Sequence, residues 1–249
     1  MFQISPCLML YDLCISAGLA FFLVITFHRG TNRAGQSPEE ALQHGLFCLA
    51  GGFLGGRALY HICHPISIES LWILFRYDHG GFMFHGLILG GIAFQAAFGG
   101  WKKKRFLELA DVTAPAWACA TSFWRIGCLV AGCCRGRPIN GAYFLVQGLP
   151  AAEAIFFAVL CLRLQNISTE SCCGEVFGKF LLGVGAFRLI ADPFRGDDLG
   201  FQFTHLGIPS TMGFSLLMVL AGLGILLRLR VQVKVQFSDE TKHGAWPRE

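Results

Sequence analysis

WRIGCLVAGCCRGRP, running from Trp124 to Pro138, sets Arg125 inside an apolar run, follows it with small and sulfur-bearing residues and closes on Arg135, Gly136, Arg137 and Pro138. An arginine at hydrocarbon depth costs about 2.5 to 3.5 kcal/mol on insertion scales, so it needs a partner or a polar cavity. Arg57, in GGFLGGRALY, and Arg188, in GVGAFRLIADPFR, stand in similarly apolar surroundings. Three such cations need something polar or anionic to face.

The composition explains why the surroundings are apolar. Of 249 residues, 54% are hydrophobic and only 14% charged, whereas about a quarter of a soluble domain is charged. The chain therefore reads as an integral membrane protein. Its net charge of +4 comes from basic residues beside hydrophobic spans rather than on one soluble face, which excludes a nucleic-acid partner. Glycine is frequent in transmembrane helices, and the 31 glycines are too dispersed for a linker or collagen pattern.

Working outward from Arg125, hydrophobic runs predict an all-α fold of about seven transmembrane helices. Leu8 to Phe27 is the first; with no charged leader and no small-residue cleavage site it reads as a retained helix. Gly45 to Ile62 is the second, with Gly51, Gly52, Gly55 and Gly56 allowing close helix approach before Arg57. Residues 63–81 are too broken to span and read as an outside loop, with Trp72 and Tyr77 at the interface. Phe82 to Phe98 is the third, and the fourth starts near Phe106, where Asp111 and Pro115 predict a bend. The fifth covers about Ala142 to Leu164, interrupted by Pro150 and Glu153. The sixth ends in GVGAFRLIADPFRGDD, and the seventh is about Pro209 to Leu227. Residues 1–230 form one seven-helix domain, and 231–249 a polar, poorly ordered cytoplasmic tail.

Lysine and arginine orient the bundle. With the first, third, fifth and seventh spans ending inside, the inner side carries Arg29, Arg33, Lys102, Lys103, Lys104, Arg105, Arg163, Lys179, Arg228 and Arg230. The outer loops then hold only Arg76, Arg135, Arg137 and Arg195. The amino terminus faces out and the carboxyl terminus in. His85, the Arg125 stretch and the segment after Arg188 then converge on the outer half of the membrane. His44, His61, His64 and His79 read as interfacial or loop residues. A purely structural role for Arg125 and Arg188 would pair them with Asp111, Asp192 or Glu153.

Five segments then match in order and spacing. FLGGRALY (53–60), DHGGFMFHGLILGG (78–91), FLELADVTAP (106–115), RIGCLVAGCCRGRP (125–138) and GVGAFRLIADPFR (183–195) resemble the prolipoprotein diacylglyceryl transferase family. The resemblance runs from about Tyr11 to the seventh span. It implies a multi-pass protein of the bacterial inner membrane with its amino terminus outside. It also implies transfer of the diacylglyceryl group of phosphatidylglycerol to the lipobox cysteine of a prolipoprotein signal peptide. Arginine suits that chemistry because it grips phosphate oxygens bidentately and stabilises the charge that grows on the departing glycerol phosphate. By the same resemblance His85, Arg125 and Arg188 are the catalytic positions, with His85 taking the thiol proton or orienting the lipid. Tyr11, Arg57, Gly86, Cys128, Gly136, Asp192 and Arg195 contact substrate. No cofactor or metal is implied, since the thiol nucleophile belongs to the protein substrate.

This sequence departs from the family pattern where asparagine and acidic residues are common, placing Cys128, Ala131 and Cys133 there. Asp192 stands for a longer acidic side chain, and the segment before the fifth span is short. Two other functions follow from these departures: a non-catalytic paralogue that binds anionic lipid, or a membrane thiol-disulfide oxidoreductase using Cys128, Cys133 and Cys134 beside Arg125 or Arg135. A stabilising bridge from Cys128 to Cys133 or Cys134 is a further reading of the same cysteines. Their spacing is not a zinc signature.

Overall fold

The computed structural model describes residues 6–63, 81–133, 136, 144–167, 173–195, 202–203 and 208–242. Seven α-helices account for nearly all of them: α1 Pro6–Arg33, α2 Pro38–Cys63, α3 Phe84–Lys102, α4 Phe106–Ala131, α5 Phe144–Gln165, α6 Glu175–Ala191 and α7 Ser210–Lys242. A three-residue 3-10 turn, Asp192–Phe194, continues α6, and a short antiparallel pair, Gln202–Phe203 with Ile208–Pro209, precedes α7. The expected 63–81 loop, with Trp72, Tyr77, His64 and His79, lies outside the described residues apart from its ends, as does Cys134.

Local chemistry sets the helix ends. At the start of α2, the Ser37 amide donates to Glu40 Oε2 at 3.3 Å and the Glu40 amide to Ser37 Oγ at 3.2 Å, a reciprocal capping box with Pro38 at the first helical position. Gly132 closes α4 in the left-handed region at φ 68°, where a Cβ is costly. No proline or glycine interrupts residues 225–242, so α7 continues helically past the expected span end at Leu227 and takes in most of the segment read as a poorly ordered tail.

α4 is the central element. It packs on α1, α3, α5 and α6, while α2 pairs with α3 and α6 with α7. A proline inside a helix removes one backbone donor; here Pro115 leaves the Asp111 carbonyl without its i+4 amide, and α4 continues through it. Arg29 Nη2 of α1 donates to that carbonyl at 3.1 Å. The Asp111 side chain reaches the other way: it accepts from the Gly174 amide at 2.6 Å and the Phe177 amide at 2.7 Å, capping α6. Asp111 therefore serves α1 and α6, and is not the counter-charge of Arg125 or Arg188.

The α2 and α3 backbones nearly touch. A Cβ at Gly55 would overlap the Gly86 carbonyl, and one at Gly86 the Gly55 carbonyl; Gly51 and Gly90 stand in the same relation. Gly52 and Gly91 leave the slot that Trp117 of α4 fills, with a Cβ at either meeting the indole at 2.8 and 2.9 Å. Such small-residue seams let helices associate where lipid gives no hydrophobic drive between them.

Among the described residues four helices are long and apolar enough to cross a membrane: Met9–Arg33, Pro38–Cys63, Gly148–Gln165 and Thr211–Val233. Their outward faces carry large apolar side chains, including Leu13 at 64%, Ile155 at 67% and Leu162 at 63% exposure. An apolar surface of this extent suits hydrocarbon rather than water. α6 has only 17 residues, and α3 and α4 turn His85, Gln95, Thr113 and Arg125 into the interior. Two histidines depart from expectation. His61 is 3% exposed, and His44 is fully buried because Gln95 Nε2 lies 2.8 Å from its Nε2 and Gln36 Nε2 3.4 Å from its Nδ1.

Candidate anion site at one end of the bundle

Alternating helix directions bring the starts of α1, α3, α5 and α7 to the same end as the finishes of α2, α4 and α6. Every predicted site residue belongs to that end. At its centre is Glu153 of α5, completely buried. Arg125 Nε of α4 lies 2.7 Å from Glu153 Oε2 in an ion pair. Arg188 Nη1 of α6 donates to Glu153 Oε1 at 3.0 Å and to Asp192 Oδ1 at 3.4 Å. Arg195 Nη1 lies 3.7 Å from Glu153 Oε1.

Arg125 is 7% exposed and Arg188 2%, so these charges have left water, and burial of that kind is tolerated only with pairing. Among the described residues three guanidiniums here surround two carboxylates. Arg188 also retains unused capacity. Its Nε and Nη2 are buried and have no hydrogen-bond partner among the described residues. Its guanidinium lies over the Phe84 ring, 4.6 Å from the centroid, a cation-π contact that fixes the fork without occupying those donors. A buried arginine with two open donors beside two further guanidiniums suits an oxyanion.

His85, one residue after Phe84, is 3% exposed and lies in the field of Arg125, Arg188 and Arg195. Its Nε2 is 3.0 Å from Ser215 Oγ of α7. The ring stacks against Phe214 at 5.8 Å and meets Phe84 edge-on at 5.9 Å.

The remaining predicted residues frame this cluster. Gly136 forms an isolated antiparallel bridge with Arg195, which ties the chain after α4 to the chain after α6 and holds Arg195 beside Glu153. Arg57 is buried and its Nη1 donates to the Gly81 carbonyl at 3.2 Å, bracing the entry to α3. Gly86 lies against the Gly55 backbone. Tyr11 packs its ring on Gly127, which is about 200° around α4 from Arg125, so α4 stands between Tyr11 and the ion cluster. Cys128 and Cys133 lie just past this cluster at the end of α4, with Cys133 Sγ 3.8 Å from the Cys128 carbonyl.

Sequence reading treated Glu153 only as one of three structural partners for the arginines. The signal for more was charge balance: Glu153 and Asp192 are carboxylates in apolar runs at the same bundle end as Arg125 and Arg188.

Fold and site define a helical membrane protein with a buried, arginine-rich ion cluster. A family model described as prolipoprotein diacylglyceryl transferase matches residues 1–228, and the chain belongs to that family. It is 32% identical to the phosphatidylglycerol–prolipoprotein diacylglyceryl transferase of Pseudoalteromonas translucida, over 87% of this chain and 86% of the relative. It is 28% identical to phosphatidylglycerol–prolipoprotein diacylglyceryl transferase 2 of Clostridium perfringens, over 87% and 88%. With the phosphatidylglycerol–prolipoprotein diacylglyceryl transferase of Nitrosospira multiformis identity is 30%, over 87% and 81%.

Proposed function

We propose that this chain transfers the diacylglyceryl group of phosphatidylglycerol to the lipobox cysteine thiol of prolipoprotein signal peptides. It does so as a seven-span protein of the bacterial inner membrane, amino terminus outside and carboxyl terminus inside. One observation carries the reading: the open Nε and Nη2 of buried Arg188, which sits beside Glu153 and Asp192 in the cluster that also holds Arg125 and Arg195. The family membership and the relatives' names support it, as do the apolar outer faces of the helices.

In this reading the lipid phosphate docks on Arg188 and shares Arg125 and Arg195 with Glu153. His85 takes the proton from the incoming thiol, and the thiolate displaces glycerol phosphate from the glyceryl carbon. Charge growing on the departing phosphate meets guanidiniums already oriented by Glu153, so stabilisation is greatest in the transition state. Glu153 keeps the three cations from repelling one another while the site is empty.

The test is transfer of radiolabelled lipid from phosphatidylglycerol vesicles to a lipobox peptide, comparing the parent with His85→Ala and Arg125→Ala. Labelled peptide from the parent alone is expected. A folded parent that binds phosphatidylglycerol but labels nothing would replace this reading with non-catalytic lipid binding.

A further inference from the structure

We propose that Ser215 is a positioning residue that fixes the tautomer of His85, so that Nε2 carries the proton and Nδ1 is the ring's basic nitrogen. The inference rests on the transferase reading for its consequence, though not for its geometry.

Ser215 is fully buried in the second turn of α7, and its Oγ has two neighbours: the Thr211 carbonyl at 2.9 Å and His85 Nε2 at 3.0 Å. A hydroxyl has one proton, and a carbonyl only accepts. If the Ser215 proton pointed at the histidine, two oxygens would sit 2.9 Å apart with nothing between them, a repulsive contact. The proton therefore belongs to Thr211, in the i−4 back-bond that helical serines make. A lone pair of Oγ then faces the ring, and Nε2 must donate; its 3.0 Å separation is ordinary for an N–H donor on oxygen. When one ring nitrogen is committed in this way, the other is defined as the acceptor. Phe214 and Phe84 enclose the ring and oppose the flip that would exchange the two nitrogens.

The assignment defines a closed proton path. The lipobox thiol gives its proton to the Nδ1 lone pair, breaking S–H and forming N–H. The thiolate pair attacks the glyceryl carbon, and the carbon-oxygen pair leaves with glycerol phosphate. The Nδ1 proton passes to that phosphate, returning neutral imidazole to its starting tautomer. Nε2–H stays on Ser215 throughout, because imidazolium donates from both nitrogens.

The test is nitrogen NMR of 15N-histidine-labelled parent in lipid nanodiscs, with His85→Gln used to assign the signal. A protonated Nε2 and a bare Nδ1 are expected. Ser215→Ala should mix the tautomers and lower kcat roughly tenfold to a hundredfold, part of the about 10² to 10⁴ that a positioned base supplies. KM for phosphatidylglycerol should stay within about twofold, as for an interaction used in the transition state. Ser215→Thr, which keeps the hydroxyl, should restore both readouts. A parent signal protonated at Nδ1, or Ser215→Ala with parental kcat, overturns the proposal. A parent that transfers no lipid sinks the transferase reading instead, and the tautomer spectrum alone then decides the role of Ser215.

Discussion

Replacing Glu153 by glutamine removes the carboxylate on which Arg125, Arg188 and Arg195 converge. Breaking a buried pair by deleting one partner costs about 3 to 5 kcal/mol, because the other charges stay buried without compensation. Glu153→Gln should therefore melt well below the parent in detergent. Added phosphatidylglycerol should recover more of that loss than phosphatidylcholine does, since a ligand that binds only the folded state stabilises it by mass action. Equal melting of variant and parent would show that the arginines do not depend on Glu153. At this scale the arginines were legible in the sequence, because a cation in an apolar run is conspicuous. Glu153 was less so: it sits beside Pro150 in LPAAEAIFF, where it reads as a flaw in a span rather than as the hub of a cluster. Its place follows only once α4, α5 and α6 are seen side by side.

The helices themselves carry two sharp tests. Gly55→Leu forces a side chain into the Gly86 backbone; overpacking of this kind costs about 1 to 3 kcal/mol. The expected outcome is a lower unfolding midpoint, with Gly100→Leu, at an open position, as the unaffected control. The second test uses the carbonyl that Pro115 exposes. Arg29→Ala should cost about 1 to 3 kcal/mol by leaving the Asp111 carbonyl without its donor. Pro115→Ala returns an amide to that carbonyl, so the double variant should be less unstable than the two single changes added together. A coupling of about 0.5 kcal/mol or more in an unfolding cycle is expected; strict additivity would mean that the arginine and the missing amide are unrelated. The glycine seam was readable from GGFLGG and HGLILGG, because glycine recurs at four-residue spacing there, at Gly51 and Gly55 and at Gly86 and Gly90. The contact of Arg29 with Asp111 was not, since it joins residues 82 apart and depends on a proline that sequence alone marks as a bend.

For the molecule as a whole, the charge asymmetry predicts sidedness. Cys133 is exposed just past the end of α4, while Cys173 lies just before α6 at the opposite end of the bundle. In variants that keep a single cysteine, a membrane-impermeant maleimide should label Cys133 in spheroplasts directly and Cys173 only after permeabilisation. The reverse pattern would invert the topology. Architecture was the most legible level: all seven expected runs correspond to helices, because hydrophobic length and broken loops act at the scale of whole segments. What sequence reading underestimated was how interior α3, α4 and α6 are. Their polar residues face neighbouring helices instead of ending a span, as Gln95 of α3 does by meeting His44 of α2.

Asp111 also gives the chain a history. Ribosomes release α4 before Gly174 and Phe177 have emerged, so for that interval the Asp111 carboxylate is without the two amides that it caps in the finished chain. Arrival of α6 relieves it within a single turn of helix. A product that stops short of residue 174 never gains those two donors, so the last-made third of the chain completes a contact that the first half leaves open.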